Sequence, residues 1–321
     1  MLLRLLKNWT LPLAMLAGSL AYFLFANVSF LAPTKPYVHS LVGVLTPLLI
    51  FAQLTLTFCK VEWHELKPKP WHAWLLLIQF LSCLLVVSLL LCIPMGPAYR
   101  GVFEGAMVCL ICPTATAAAV ITAKLGGSAA TLSTYTLLSN FLAAVVVPLV
   151  FPLVEPHEGI GFLAAFSKIL GRVFPLLLLP FILACVFRLY LPRVHRFLVG
   201  ASDAAFYLWA VALAIVSGQT VRSLVQSSAP LVVEVSVALA GLLVCILQFW
   251  AGKRIGGRYG DRISGGQALG QKNTVLAIWM AYTYLTPLSS VGPGSYVLWQ
   301  NLFNSWQLWM KRQVEASVQP K

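Results

Sequence analysis

Long apolar runs divide the chain into segments of similar length, separated by short stretches that carry charge, Pro or Gly. A helix needs about 20 apolar residues to cross the hydrocarbon core of a bilayer, so each run predicts one membrane span. The predicted fold class is therefore an all-α polytopic membrane protein with ten transmembrane helices. The ten spans cover residues 10–31, 38–59, 71–93, 101–123, 128–151, 164–187, 200–220, 229–252, 263–285 and 291–310.

Composition agrees with this pattern, because 60% of the 321 residues are hydrophobic and only 10% are charged. The loops are too short for a catalytic domain, and the sequence has no nucleophile–base set, phosphate loop or metal-binding motif. Cys109 and Cys112 have the spacing of a metal-binding pair, but they lie on one membrane helix without a second pair. We therefore expect no enzyme activity, no cofactor and no metal site.

Basic residues are distributed unevenly among the loops. If both termini lie on the same side, most of the 22 Lys and Arg residues fall in the segments on that side. The positive-inside rule then predicts that both termini are cytoplasmic, in the plasma (cell inner) membrane. Loops beside anionic lipid also account for the net charge of +13, so no nucleic acid partner is expected.

The spans form two sets, residues 10–151 and 164–310, with five predicted helices in each. Because five is odd, the second set enters the membrane from the opposite side. This is the arrangement of inverted repeats in secondary transporters.

The fourth helix of each set is interrupted. Span 4 contains Pro113 followed by small residues, and span 9 contains Gly270 followed by four polar residues. Proline removes a backbone donor and clashes with the preceding turn, and interrupted helices in matching positions indicate a midplane binding site. We predict crossed, discontinuous helices, although a proline kink with glycine packing is the ordinary alternative. The candidate substrate and coupling residues are Pro113, Thr114, Thr116, Gln271, Lys272, Asn273 and Thr274.

Lys272 lies near the middle of the apolar stretch Ile263–Leu285. A charge at that depth costs about 2.5–3.5 kcal/mol on insertion scales, so it is a functional hypothesis by default. Three roles are open: a permanent cation that braces the broken helices, a proton carrier, or a structural lysine paired with a carboxylate. Glu104 and Glu234 are the candidate partners, and each is also near enough to its span end to reach interfacial water.

Span 10 places a series of amides among its tryptophans. Gln300, Asn301, Asn304 and Gln307 follow helical spacing and lie largely on one face. This face either packs on polar helices or lines a cavity.

Several short motifs, in this order and spacing, resemble the bile acid:sodium symporter family and its wider superfamily. The motifs are Pro47-Leu48-Leu49, Leu54-Thr55-Leu56, Gln79-Phe80, Cys112-Pro113 with Thr116-Ala117, and Asn273 with Leu276-Ala277. The resemblance implies a panel domain from spans 10–31, 38–59, 164–187 and 200–220. It also implies a core domain from spans 71–151 and 229–310, which moves against the panel to carry an organic anion together with sodium.

The sodium sites that the resemblance implies are mostly missing. A Ser-Asn pair is replaced by Ala118 and Ala119, an acidic residue by Ala268, and a glutamine by Lys272. Hard cations need several oxygen ligands, so sodium coupling through these positions is not expected. The positions that keep an oxygen-bearing side chain are Gln79, Thr136, Asn140 and Asn273.

These observations predict a secondary active transporter of a small organic anion, such as a bile-acid-like or other carboxylate or sulfonate. Lys272 replaces the coupled cation or carries a proton, so the coupling ion is Na⁺, H⁺ or none. The alternatives are a sodium-coupled symporter with its ion elsewhere, a channel or sensor, and a cation-proton antiporter. The expected partners are the substrate and the lipid bilayer, and the oligomeric state is unknown.

Overall fold

A computed structural model describes residues 10–156 and 159–318. These residues form helices joined by short connections, and their one β-type contact is an isolated antiparallel bridge. The α-helices are α1 (Thr10–Asn27), α2 (Lys35–Cys59), α3 (Pro70–Cys92), α4 (Pro97–Ile111), α5 (Ala118–Leu125), α6 (Ala129–Val154), α7 (Phe162–Tyr190), α8 (Pro192–Gly200), α9 (Ser202–Val225), α10 (Leu231–Arg258), α11 (Arg262–Gly270), α12 (Thr274–Tyr284) and α13 (Val291–Val318). Short 3₁₀ turns cover Ser29–Thr34, Trp63–Glu65 and Pro287–Ser290.

Six of the described helices, α2, α3, α6, α7, α9 and α10, are long and apolar enough to cross a membrane. Large apolar side chains lie on their outer surface, as at Leu85, Ile182 and Leu243, where lipid can solvate them. The predicted all-α membrane class is confirmed. Helix α8 was not predicted as a separate element, and α13 continues beyond the predicted end at residue 310.

Predicted spans 4 and 9 are each divided into two shorter helices. Helix α4 ends at Ile111 and α5 begins at Ala118, while α11 ends at Gly270 and α12 begins at Thr274. Pro113 lacks the amide hydrogen that would continue the first helix. Gln271 has an extended backbone, with φ −97° and ψ 101°, which ends the second.

The helices associate in two groups. Helix α1 packs on α9, and α2 packs on α7 and α9. In the other group α10 packs on α4, α11 and α13, and α3 packs on α4 and α6. Contacts of α6 with α7, and of α12 with α2 and α9, connect the groups.

Glycines let α11 lie directly against α10. A Cβ atom at Gly252 would lie 2.2 Å from the carbonyl oxygen of Gly265, and one at Gly265 would lie 2.8 Å from Cα of Gly256. Both distances are too short for a real contact, so only glycine permits this separation. The turn between the helices contains Gly260 at φ +75°, a conformation that favours glycine.

Asp261 holds the start of α11 against α3. Its carboxylate lies 2.5 Å from the Lys69 ammonium and accepts a hydrogen bond from Trp71 Nε1 at 3.1 Å. The half-helix α11 is therefore fixed along its side by glycines and at its beginning by this pair of contacts.

Replacing Gly252 by Ala tests this packing. The new methyl group would meet the α11 backbone, so we expect the purified protein to be destabilised by about 1–3 kcal/mol, seen as a lower thermal unfolding midpoint in detergent. Gly43→Ala is the matched control, because no atom lies within 4 Å of a Cβ there. A Gly252→Ala protein as stable as the control would contradict the close approach of the two helices.

Candidate functional site

The two helix breaks, between Ile111 and Ala118 and between Gly270 and Thr274, lie side by side and are joined by backbone hydrogen bonds. The amide of Ala115 donates to the carbonyl oxygen of Gln271 at 2.9 Å, and the amide of Asn273 donates to that of Pro113 at 2.9 Å. These bonds form the antiparallel bridge between Thr114 and Lys272. Backbone groups freed by one interruption are therefore satisfied by the other, as burial requires.

Lys272 is buried, with 1% of its surface exposed. Its ammonium donates a hydrogen bond of 3.2 Å to the carbonyl oxygen of Leu110, in the last turn of α4. Carbonyls in a last turn lack helical partners and carry the negative end of the helix dipole. No carboxylate of the described residues lies within 4.0 Å of this ammonium. The charge of Lys272 is thus directed at the C-terminal end of α4.

Two glutamines bind the neighbouring carbonyls of the same turn. Gln79 Nε2 donates to Ile111 O at 2.8 Å and to Cys112 O at 3.2 Å. Gln248 Nε2 donates to Cys109 O at 3.0 Å. Side chains from three directions therefore satisfy the end of α4.

The end of α11 is satisfied in the same way. The Tyr296 hydroxyl donates a hydrogen bond to Gly270 O at 2.7 Å, and the Thr114 hydroxyl donates one to Ala268 O at 2.6 Å. The amide of Thr114 in turn donates to Ser139 Oγ at 3.1 Å. Thr114 therefore joins the first break both to α11 and to α6.

The side-chain amide of Gln300 in α13 forms hydrogen bonds with both the N–H and the C=O of Lys272. The Lys272 amide donates to Gln300 Oε1 at 2.8 Å, and Gln300 Nε2 donates to Lys272 O at 3.3 Å. Asn304, one turn further, accepts from Gln267 Nε2 at 2.9 Å. The polar face of α13 therefore packs on the breaks, and Gln300 and Asn301 also border a cavity.

A cavity of about 620 Å³ lies beside the breaks, within the size range of small-molecule sites. One wall is formed by Thr116, Gln271, Asn273 and Thr274 from the breaks, and the facing wall by Gln53, Thr57, Phe206 and Trp209 from α2 and α9. Its open end carries the exposed residues Lys60, Glu62, Glu65 and Lys124. The cavity thus lies between the two helix groups and is continuous with one surface.

Two helix N-termini border the cavity on the side of the breaks. Helices α5 and α12 both begin there, and the first amides of a helix carry the positive end of its dipole. At the open end, a hydrogen bond from Arg188 lowers the pKa of Glu62, so that this carboxylate is ionised and held toward Arg188.

The sequence profile of the SBF-like CPA transporter family matches residues 63–314, which include both breaks and most of the cavity wall. The chain belongs to this family. It is therefore a multi-pass membrane protein of a transporter family, and the family resemblance of the sequence is confirmed. None of the curated proteins matches the chain.

In this family member, the polar positions that resemble ion ligands mostly have protein partners. Gln79 Oε1 accepts from Tyr135, Thr136 donates to Leu132 O at 3.0 Å, and Asn273 Oδ1 accepts the Leu276 amide at 3.3 Å. Asn140 differs, since it is fully buried and neither atom of its side-chain amide has a hydrogen-bond partner among the described residues. Within the described part of the chain, no group of three or more His, Cys, Asp or Glu residues has a geometry that could hold a metal ion.

The two candidate carboxylates are not near Lys272. Glu104 is fully buried, lies 3.3 Å from Arg100 Nε and accepts from the Thr286 hydroxyl at 2.5 Å. Glu234 is in the first turn of α10, where it is partly exposed. The structure therefore brings Lys272 together with the other residues of the breaks but not with either glutamate.

Sequence reasoning did not identify Gln248, Tyr296 or Ser139 as parts of this site. The available signal was a polar residue within an apolar span, which indicates a buried partner. That partner is a backbone carbonyl or amide of a distant helix, and it becomes visible only when the helices are packed.

Replacing Gln300 by Leu tests the support of the Lys272 peptide. Two buried backbone groups would lose their side-chain partner, so we expect a loss of about 1–3 kcal/mol in stability, measured by thermal unfolding in detergent. Asn301→Leu is the matched control, because within the described part of the chain the Asn301 side chain bonds only to Val297 O of its own helix. Equal midpoints for the two variants would show that Gln300 does not hold the break.

Proposed function

We propose that this protein is a secondary carrier that moves a small organic anion by alternating access. The observation that carries the proposal is the cavity between the two helix groups, bordered by two helix breaks that bond to each other. Interrupted helices that meet beside a cavity are characteristic of secondary transporters.

The proposed fold has ten spans in two inverted repeats. In this proposal α4 with α5 makes span 4, α11 with α12 makes span 9, and each other predicted span is assigned to the described α-helix that it overlaps. The panel domain consists of α1, α2, α7 and α9, and the core domain of α3 to α6 and α10 to α13. The packing of α1 and α2 on α9 supports this division, and Gln53 Nε2 of the panel contacts Thr116 Oγ1 of the core at 3.2 Å.

The proposed substrate is a carboxylate or sulfonate with an apolar body. Its anionic group would lie near the first turns of α5 and α12, where the helix dipoles are positive. Phe206 and Trp209 offer an apolar surface on the opposite wall. If the protein lies in the cell inner membrane with its basic loops in the cytoplasm, the cavity opens on the cytoplasmic side, where Lys60 and Lys124 lie.

Lys272 is proposed as a fixed cation in place of a bound sodium ion. Its ammonium faces Leu110 O in the interior of the core, and it is almost fully buried. It would neutralise the end of α4 permanently, so transport would need no sodium. The competing role is that of a proton carrier, which the position of Lys272 on the cavity wall favours.

Uptake into proteoliposomes tests this function. Radiolabelled carboxylates and sulfonates, including a bile acid, are supplied with sodium or choline outside and with or without a pH gradient. We expect saturable uptake that neither sodium nor the pH gradient changes. Lys272→Gln should reduce it at least about tenfold, because a charged hydrogen bond to a buried carbonyl is lost. Lys168→Gln is the control, since Lys168 is exposed on α7.

Each other outcome identifies a different function. Uptake that requires sodium in both wild type and Lys272→Gln would mean that an ion binds elsewhere. Uptake that requires a pH gradient, and loses that requirement in Lys272→Gln, would make Lys272 the proton carrier. Non-saturating flux at channel rates would contradict a carrier mechanism altogether.

A further inference from the structure

A second cavity, of about 460 Å³, lies away from the helix breaks on the outer surface of the core helices. It is a groove between the last turns of α13, the end of α5, the first turn of α11 and Lys253 of α10. Its apolar lining includes Leu125, Ile263, Trp306 and Met310, and two lysines, Lys253 and Lys311, border it. It shares no lining residue with the cavity at the breaks.

Lys253 is held in a fixed position at this groove. A Cβ atom at Gly266 would lie 2.6 Å from Lys253 Cγ, so the side-chain stem crosses α11 where the glycine leaves room. Its ammonium lies 5.0 Å from the centroid of the Phe303 ring. Among the residues that the structure describes, no carboxylate lies within 4.0 Å of this ammonium. The groove therefore contains a half-buried positive charge that no described carboxylate pairs with.

Lys311 provides a second ammonium near the end of α5. It donates to Lys124 O at 2.8 Å and forms an ion pair with Glu315 at 3.5 Å. An ammonium has three donors, so one remains available after these two contacts. The two lysines that line the groove therefore outnumber its one lining carboxylate, Glu315.

The outer side of the groove is apolar and exposed. Trp306, Met310 and Val314 are 52%, 43% and 58% exposed, along one side of α13. A surface with apolar side chains toward lipid and lysines toward the headgroup region matches the two parts of a phospholipid. Basic pockets between membrane helices on one leaflet bind anionic headgroups in this way.

We propose that this groove binds an anionic phospholipid, with its phosphate near Lys253 and Lys311 and an acyl chain along Trp306 and Met310. Charge complementarity favours an anionic over a zwitterionic headgroup, and the exposed apolar side favours a lipid over a soluble phosphate. Leu125 belongs to α5, which follows the first break, and Ile263 belongs to α11, which precedes the second break. The lipid would therefore contact one half of each broken helix. This inference does not depend on the substrate or coupling of the transporter.

Native mass spectrometry of the full chain tests the site. The protein is released from detergent containing phosphatidylglycerol or phosphatidylcholine with identical acyl chains, and the retained lipid is counted. We expect preferential retention of phosphatidylglycerol, reduced about fivefold in Lys253→Gln, since one basic residue near the surface contributes about that factor. Arg193→Gln, on the exposed surface of α8, is the control and should retain lipid like wild type.

A second variant keeps the test valid if Lys253→Gln fails to fold. Met310→Glu changes an exposed residue, leaves Lys253 in place and should also reduce retention of phosphatidylglycerol, because it adds a like charge to the groove. Glycerol phosphate in solution should not displace the lipid. Equal retention of the two lipids, unchanged retention in both groove variants, displacement by glycerol phosphate, or a groove occupied by a second copy in a dimer would each overturn the proposal.

Discussion

The contact between the Lys272 ammonium and the end of α4 is the interaction on which the site depends. Breaking a helix inside a membrane leaves carbonyl groups that water cannot reach, and each one must find a donor. Here Gln79 and Gln248 provide neutral donors, and Lys272 provides a charged one to Leu110 O. Because the helix dipole adds negative potential at the same point, a cation is the most favourable partner for this end.

This constraint links the fold to the proposed function. Two conditions accompany the contact of Lys272 with Leu110: α11 lies close to α10, and the backbone of residue 272 is hydrogen-bonded to a side chain. The glycine contact of Gly252 with α11 supplies the first condition, and Gln300 supplies the second. The opposite ends of the interrupted helices, at the starts of α5 and α12, are then left to face the cavity, where they favour an anion. The negative helix ends are bonded inside the protein, and the positive ends border the cavity.

Much of this arrangement could be predicted from local sequence. Apolar run lengths located the six described helices that are long enough to cross a membrane. Pro113 and Gly270 located the breaks, because both act on their own backbone. The partners of Lys272 could not be predicted: Glu104 was a candidate for its charge, but it pairs with Arg100, while Lys272 contacts a backbone carbonyl. Any helix end offers carbonyls, so only the packing of α4 against the second break decides which one is reached. Gln79 illustrates the same limit, since it was a candidate ion ligand and instead donates to α4.

The charge carried with each substrate molecule tests the central claim most directly. Currents are recorded from proteoliposomes on a solid-supported membrane while a monovalent transported anion is applied. If Lys272 is a fixed cation that replaces the coupled ion, each cycle moves one net negative charge, and neither sodium nor a pH gradient changes the current. Electroneutral uptake that follows the pH gradient, or a current of opposite sign that requires sodium, would contradict that role.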